Sequence, residues 1–487
     1  MRISFHWWPS QRITLTMKHG KFVVISLGFF CVATLSPQNS FGQLSSKASA
    51  KDWLQSDPIR DSIAGISLHD AYKLLKGRAG KTIIVAVIDN GVDIEHEDLK
   101  EVIWTNRKEI PDNGIDDDHN GYIDDVHGWN FRGAKDGSII DKEWAGATQI
   151  YVAWKSRYEN TGVKVLDAGE KRNQTVYNNA KQEYLDKLKY SKDSIELNYS
   201  YNLEYNSSRL IANDSEDSIN RYYGSPYCKL TPGLNHGTNV SGIIAAKRQN
   251  NLGIDGVADN VLIMPIVAST QVGDERDKDV ANAIHYAVDN GAQLINISFS
   301  KLYSTDKQLL DEAIQYAEKK KVLIIHCAGN NGVDIDSFYN YHYPMAIYDN
   351  GKKADHFITV GWSRPLFDYR LAHPNSGFGK FNVDLFAPGS DVYTTAPHNQ
   401  YDSRSGSSMS TPIVTGVAAL LLCYFPSLST EDVKDILLKS VFKPDQLVYQ
   451  PGTTTLVPFG NLSVSGGIVN AYNAVELAIK MSKQGGK

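Results

Sequence analysis

Residues 405–425 read Ser-Gly-Ser-Ser-Met-Ser-Thr-Pro-Ile-Val-Thr-Gly-Val-Ala-Ala-Leu-Leu-Leu-Cys-Tyr-Phe. A turn of small hydroxyl residues opens into an apolar run of about four helical turns, too short to span a bilayer and apolar enough to demand burial. Pro412 stands near the start of the run, where its fixed φ and missing N–H are tolerated. A serine at such a helix start lies beside free backbone N–H groups and the positive end of the helix dipole, which favour negative charge on a nearby oxygen. The plainer alternative is a Ser-rich cap on a core helix.

The surroundings of this helix declare the fold class. Residues 81–89, Lys-Thr-Ile-Ile-Val-Ala-Val-Ile-Asp, form a β-branched run suited to a strand covered on both faces. Strand-like runs recur at 261–269, 293–300, 322–328, 357–362 and 383–386. Between them Val280, Ala283, Ile284, Ala287 and Val288 mark one helix, and Leu310, Ala313, Ile314 and Ala317 another. This alternation predicts an α/β fold of three layers, a mainly parallel sheet with helices on both faces. No internal repeat intervenes, so residues 81–480 read as one interrupted domain, followed by a polar tail at 481–487.

A chain of 487 residues accommodates one large α/β domain with insertions, or two domains. Its net charge of -5 argues against nucleic acid as a partner. Four cysteines without close repeated spacing offer neither a zinc site nor a disulfide framework. Residues 1–42 read as an export signal: Arg2, Arg12, Lys18 and Lys21 precede an apolar run from Phe22 to Leu35, and Ser40-Phe41-Gly42 supplies a small-residue cleavage pattern. Residues 17–42 already contain all three parts, which makes Met17 an alternative start. Cleavage after Gly42 leaves Gln43 first and a secreted or periplasmic protein with no stable membrane span. Residues 43–80 are a mixed, polar lead-in with one short helix at 68–75, too short for a folded pro-domain.

Two further segments stand apart. Residues 109–131 are acidic, and within them Asp116, Asp118, Asn120, Gly121 and Asp124 match the first nine positions of a calcium loop, with hard oxygen ligands at alternate residues and glycine at the sharp turn. His127 stands where an EF-hand places its bidentate Glu, and no flanking helix pair is evident, so a solvated acidic turn is the competing reading. Ca2+ is thus an expected structural ion, with no cofactor required for catalysis. Residues 141–230 are rich in Tyr, Asn, Lys and Ser. Tyr177, Ala180, Tyr184 and Leu188 recur at helical spacing, and the segment reads as a helical insertion forming a wall of a substrate cleft.

Three residues, each ambiguous alone, fit one chemistry together. Asp89 ends a predicted strand, where side chains reach the crevice of an open sheet, although Asp before Asn-Gly is also a turn former. His236 opens a small-residue helix, a usual place for a structural histidine. Ser408 opens the apolar helix. A serine hydroxyl needs a base to take its proton and a carboxylate to hold that base in the right tautomer. Asn330 ends a further strand and, with the Ser408 N–H, offers donors for the oxyanion of a tetrahedral intermediate.

At these positions the chain resembles the subtilisin-like serine proteases. Asp89-Asn90-Gly91-Val92-Asp93 with His96-Glu97-Asp98-Leu99 resembles the family's aspartate motif, His236-Gly237-Thr238-Asn239-Val240-Ser241-Gly242 its histidine motif, and Gly406-Ser407-Ser408-Met409-Ser410-Thr411-Pro412 its serine motif. The resemblance implies Ser408 as nucleophile, His236 as general base and then acid, Asp89 as orienter, and Asn330 with the Ser408 N–H in the oxyanion hole. It implies that Ser298, Phe299 and Ser300, with Ala328 and Gly329, line the substrate backbone, and that Asp98 is a calcium ligand. Ser300 stands where family members commonly have glycine, and its side chain is expected to narrow the primary specificity pocket. Cys327, without a basic partner in sequence, reads as a small buried residue rather than a nucleophile. The expected partners are protein or peptide substrates. Competing functions are a peptide transferase or cyclase using the same triad, and a non-catalytic binding module on the same fold.

Overall fold

The computed structural model describes residues 53–132, 142–159, 167–190, 199–203, 221–228, 235–270, 272–337 and 340–484. The export segment, residues 43–52 of the lead-in, parts of the insertion and residues 485–487 lie outside the described residues. Seven strands make one parallel sheet: β1 (Ile83–Asp89), β2 (Trp129–Asn130), β3 (Val261–Val267), β4 (Leu294–Ile297), β5 (Leu323–Cys327), β6 (Phe357–Ser363) and β7 (Leu385–Pro388), in the order β2-β3-β1-β4-β5-β6-β7. β1 pairs with β3 from Ile83↔Val261 to Asp89↔Val267, and with β4 from Val85↔Leu294 to Ile88↔Ile297. Beyond β1 the chain turns toward β2 and β3, whereas beyond β4 it turns toward β5. The ends of β1 and β4 therefore flank the switch point where open sheets bind ligands.

The helices in chain order are α1 (Leu68–Leu75), α2 (Gly146–Glu159), α3 (Ala168–Leu188), α4 (His236–Ala245), α5 (Asp277–Asp289), α6 (Lys307–Lys319), α7 (Ser407–Tyr424), α8 (Thr430–Lys439) and α9 (Ala471–Gln484). Strand residues alternate between faces. Ala86, Ile88, Met264, Ile266, Ile295, Ile297 and Ile324 share one core cluster with the apolar stripes of α5 and α6. The opposite face receives α7, whose residues from Ser407 to Cys423 are all buried. One polar contact sets its register on the sheet: Thr415 Oγ1 donates to Asn296 Oδ1 of β4 at 2.8 Å, both side chains being fully enclosed. These layers are the predicted three-layer α/β architecture.

Several details depart from the sequence reading. Pro412 is the sixth residue of α7, since the helix begins at Ser407, so its missing N–H falls beyond the four that a helix start leaves unpaired anyway. The Ser408 carbonyl therefore loses its i+4 donor. Trp129–Asn130, part of the stretch read as an acidic loop, forms the edge strand β2, because pairing with Ile266 and Val267 of β3 decides a run too short to show a period. Antiparallel strands β8 (Val392–Ala396) and β9 (Gln400–Arg404), not anticipated, carry the chain into Ser405. This hairpin grips α4: Asn239 Nδ2 donates to Thr395 O at 2.6 Å, and Thr394 Oγ1 donates to Asn239 O at 2.6 Å. Residues 481–484 continue α9 rather than begin a tail, the helix being anchored by the buried Ala471, Ala474, Val475 and Ala478.

In the insertion, α2 and α3 pack by tyrosine stacking. The Tyr151 and Tyr184 rings lie 4.5 Å apart at 16°, and Tyr177 and Ala180 are buried in the same cluster. In the lead-in, α1 occupies the predicted residues, and the segment before it is held by Ala471 N–H donating to Ile66 O at 2.8 Å and Asn470 Nδ2 donating to Ser67 Oγ at 2.9 Å.

Candidate active site

Asp89, the last residue of β1, is buried, and His236, the first residue of α4, brings Nδ1 to 2.9 Å from both of its carboxylate oxygens. The approach requires a glycine after the histidine, because a Cβ on Gly237 would lie 2.3 Å from Gly91 O and 3.2 Å from Asp89 Cβ. Asn90 completes the clasp: its Oδ1 accepts Gly237 N–H at 3.1 Å, while its own N–H donates to Asp89 Oδ1 at 2.8 Å. With Nδ1–H donating to Asp89, the Nε2 lone pair of His236 is left as a proton acceptor.

Ser408 is the second residue of α7, and its hydroxyl makes no hydrogen bond among the described residues. It lines, with His236 and Asn330, an open cleft of about 670 Å³. Asn330 Oδ1 accepts from Ser407 N–H at 2.8 Å and from Ser407 Oγ at 2.9 Å, which orients the amide and leaves Nδ2 as the donor. Gly406, at φ 153°, sits between the two groups. A Cβ there would lie 3.1 Å from Ser408 Oγ and 3.5 Å from Asn330 Nδ2.

Ser298, Phe299 and Ser300 follow β4 along the same cleft. The Phe299 carbonyl accepts from His326 Nε2 at 2.9 Å, and the Ala328 carbonyl from His342 Nδ1 at 2.6 Å. Gly329, at φ 87°, packs so closely on His342 that a Cβ would come within 2.4 Å of the imidazole. Cys327 is a free, buried thiol that reaches the cleft. Burial pushes its pKa up to about 11, so it is protonated near neutrality and unreactive. Glu275, His342, Ser269 and Thr270 also line the cleft and escaped the sequence reading. Their positions come from tertiary packing, and the one available signal was a run of charge, Asp274-Glu275-Arg276-Asp277, soon after a strand end.

The carboxylates expected to hold calcium are dispersed. Asp98 is fully buried, its Oδ1 accepting from Asn250 Nδ2 at 2.6 Å and its Oδ2 from Ile254 N–H at 3.1 Å. Asp116 accepts from the N–H groups of Asn120 and Gly121, and Asp124 from those of Asn113 and Gly114. Asp118 instead joins Glu109 and Asp125, with oxygens of all three within 4.8 Å of one another. Asn120 Nδ2 donates to Asp125 Oδ2 at 3.0 Å. Burial raises the Asp125 carboxyl to about 6 against the hydrogen bonds from Tyr286, Asn106 and Asn120.

With sheet, cleft and paired side chains in view, the class of protein follows. Residues 80–466 match the subtilase family, and the chain belongs to that family. Its relatives include subtilisin-like protease 1 of Plasmodium falciparum (isolate 3D7), 26% identical over 432 residues that cover 85% of this chain and 46% of the relative. The thermophilic serine proteinase of Bacillus sp. (strain AK1) is 33% identical over 243 residues, 50% of this chain and 52% of the relative. Thermitase of Thermoactinomyces vulgaris is 33% identical over 192 residues, 39% of this chain and 61% of the relative. The chain thus spans about half the length of the first two of these curated relatives. Among solved structures, one titled for the structural basis of subtilase cytotoxin SubAB assembly shares the fold, with a TM-score of 0.51 and 19% identity over 89% of this chain and 100% of that one.

The Asp89–His236 pair has a measurable signature. Burial of the ring pulls the imidazole pKa down, the charge and hydrogen bond of Asp89 pull it up, and the balance lies above the ordinary 6.5. Because the folded-state value is the higher one, the charged pair stabilises the fold below about pH 6.5, and that contribution is lost as pH rises through the folded-state pKa. In an NMR titration of the His236 ring protons the midpoint is expected above 6.5 in the wild type and lower in Asp89→Asn, where desolvation acts without the carboxylate. Equal midpoints in the two proteins would contradict this balance.

Proposed function

We propose that this chain is an exported serine endopeptidase that hydrolyses peptide bonds through an acyl-enzyme. The observation that carries the reading is a histidine whose Nδ1 is committed to a buried carboxylate while its ring shares one cleft with the hydroxyl of Ser408 and the amide of Asn330. Nε2 of His236 takes the Ser408 proton as Oγ attacks the carbonyl carbon, and Asp89 stabilises the resulting imidazolium. The oxyanion accepts from Asn330 Nδ2 and from the Ser408 N–H, one of the unpaired donors at the start of α7. The imidazolium then protonates the leaving amine, and water repeats the sequence to release the acid. Ser408 and His236 line one cleft without a hydrogen bond between them among the described residues, and catalytic hydrogen bonds of this kind commonly tighten in the Michaelis complex. Substrate backbone is read as an added strand beside Ser298 and Ser300, since the Phe299 carbonyl already serves His326.

Two subsidiary readings accompany it. Calcium is proposed as a structural ion, supported by the oxygen-only donor set at Glu109, Asp118 and Asp125; Asp98 stays a ligand only by its motif position. A divalent cation would offset the mutual repulsion of the three grouped carboxylates. Export is supported by the charged, apolar and small-residue parts of residues 1–42.

A fluorophosphonate probe is expected to label the wild type and not Ser408→Ala. Asn330→Ala should lower kcat by about 10²–10³-fold with little change in KM. Absence of Ser408-dependent labelling of folded protein would refute the reading, and product masses showing ligated peptides rather than added water would redirect it to transpeptidation. Chelation is expected to lower the melting temperature, with calcium restoring it; superimposable melting curves would remove the ion. Mass spectrometry of protein recovered outside the cytoplasm should find Gln43 at its N-terminus, and an intact residue 1–42 segment would contradict export with cleavage.

A further inference from the structure

One carboxyl in the cleft has no part in the chemistry above. Glu275 lines the same cleft as His236, Ser298 and Cys327 and is 6% exposed. Ser269 Oγ donates to its Oε1 at 2.7 Å, and Ser269 in turn donates its N–H to the Asp89 carbonyl at 3.2 Å, so the carboxyl stands one residue away from the triad strand. Its charge is felt by both His236 and Cys327. No lysine, arginine or histidine among the described residues forms an ion pair with it. Lys301, whose charge reaches it, is committed elsewhere: its Nζ lies 2.8 Å from Asp277 Oδ1 and donates to the backbone carbonyl of Glu275. Asp274 beside it adds negative charge and is itself taken by Gly146 N–H at 2.6 Å.

The helical insertion fixes this carboxyl in place. Glu143 N–H donates to Val272 O at 2.8 Å, and Asp274 N–H donates to Trp144 O at 3.1 Å. Gln149 Nε2 donates to Asp274 O at 3.0 Å, and the Arg276 guanidinium grips Glu143 with two bonds of 3.0 Å. Gly273, at φ 89°, allows the two segments to touch, since a Cβ there would lie 1.9 Å from Glu143 O. Residues 142–149 therefore clamp 272–276 on both sides of Glu275. A buried carboxylate is costly unless a cation joins it. Here the protein leaves one face of it to the cleft.

We propose that Glu275, held by the insertion, is a specificity residue that recognises a basic side chain, arginine or lysine, of the peptide substrate close to the scissile bond. The inference rests on the endopeptidase reading and adds to it a substrate class. The guanidinium or ammonium would occupy the cleft beside the Glu275 carboxylate and supply the missing counter-charge, strengthened by exclusion of water when the peptide binds.

Fluorogenic peptides of one sequence, with arginine or its uncharged isostere citrulline at each position flanking the scissile bond in turn, test this. At one position the wild type should prefer arginine by about tenfold or more in kcat/KM, and Glu275→Gln should reduce that ratio to near one while still cleaving the citrulline peptide. Equal rates for the two peptides at every position, or a preference that survives in Glu275→Gln, would overturn the inference and leave the peptidase intact. If neither peptide is cleaved and Ser408 is not labelled, the peptidase reading falls, and this inference with it. Should Glu275→Gln fail to fold, the wild-type ratio against pH supplies the second readout. Burial and Asp274 raise the Glu275 carboxyl to about 7 against the Ser269 hydrogen bond and the Lys301 charge, so the arginine preference should fade as pH drops below that value. His236 acts equally on both peptides and cancels in the ratio, while Asp277 remains paired with Lys301. A ratio constant with pH would count against Glu275.

Discussion

The burial of α7 is the constraint from which the site follows. A helix apolar on every side has to be enclosed, and the sheet, α4 and the C-terminal helices enclose it. Once its body is packed and the Thr415–Asn296 hydrogen bond sets its register, the position of its first turn is decided. Ser408 then stands at the carboxyl edge of the strands, with no adjustable loop between it and the core.

The same rigidity reaches the histidine by a different route. α4 is tied to β1 through Asn90 and Gly237, and to the β8–β9 hairpin through Asn239, Thr394 and Thr395. That hairpin leads directly into α7. Asp89, His236 and Ser408 are therefore linked by buried hydrogen bonds and short connections, though 319 positions separate the first from the last. Preorganisation of this kind is what allows fixed dipoles to stabilise a developing charge without first rearranging.

The large insertion between Asp89 and His236 leaves that framework undisturbed because it attaches at the rim. Its tyrosine-rich helices make a small core of their own, and one edge of it clamps the loop after β3. The insertion is thus a buttress rather than the expected cleft wall: none of its described residues lines the cleft, whereas Glu275 on the loop it clamps does. In physical terms the core fixes Asp89, His236 and Ser408, and the added segment positions a loop at the edge of their cleft.

Local pattern made much of this legible. β-branched runs announced the buried strands, an all-round apolar run announced α7, and the three motifs announced Asp89, His236 and Ser408, because close helix packing and tight turns restrict which residues stand there. The edge strand β2, the β8–β9 hairpin and the depth of Pro412 were not legible, since each depends on a partner distant in sequence. So does the grouping of Glu109 and Asp125 with Asp118, where loop spacing suggested other ligands. By itself the sequence determined the layer architecture and the order of its elements, which are properties of periodicity and local backbone preference, and its motifs singled out Asp89, His236 and Ser408. Only the tertiary structure decided that Glu275 faces the cleft without an ion-pair partner among the described residues while Lys301 turns to Asp277, because which charge is neutralised and which is left open depends on side chains that the fold alone brings within a few ångströms.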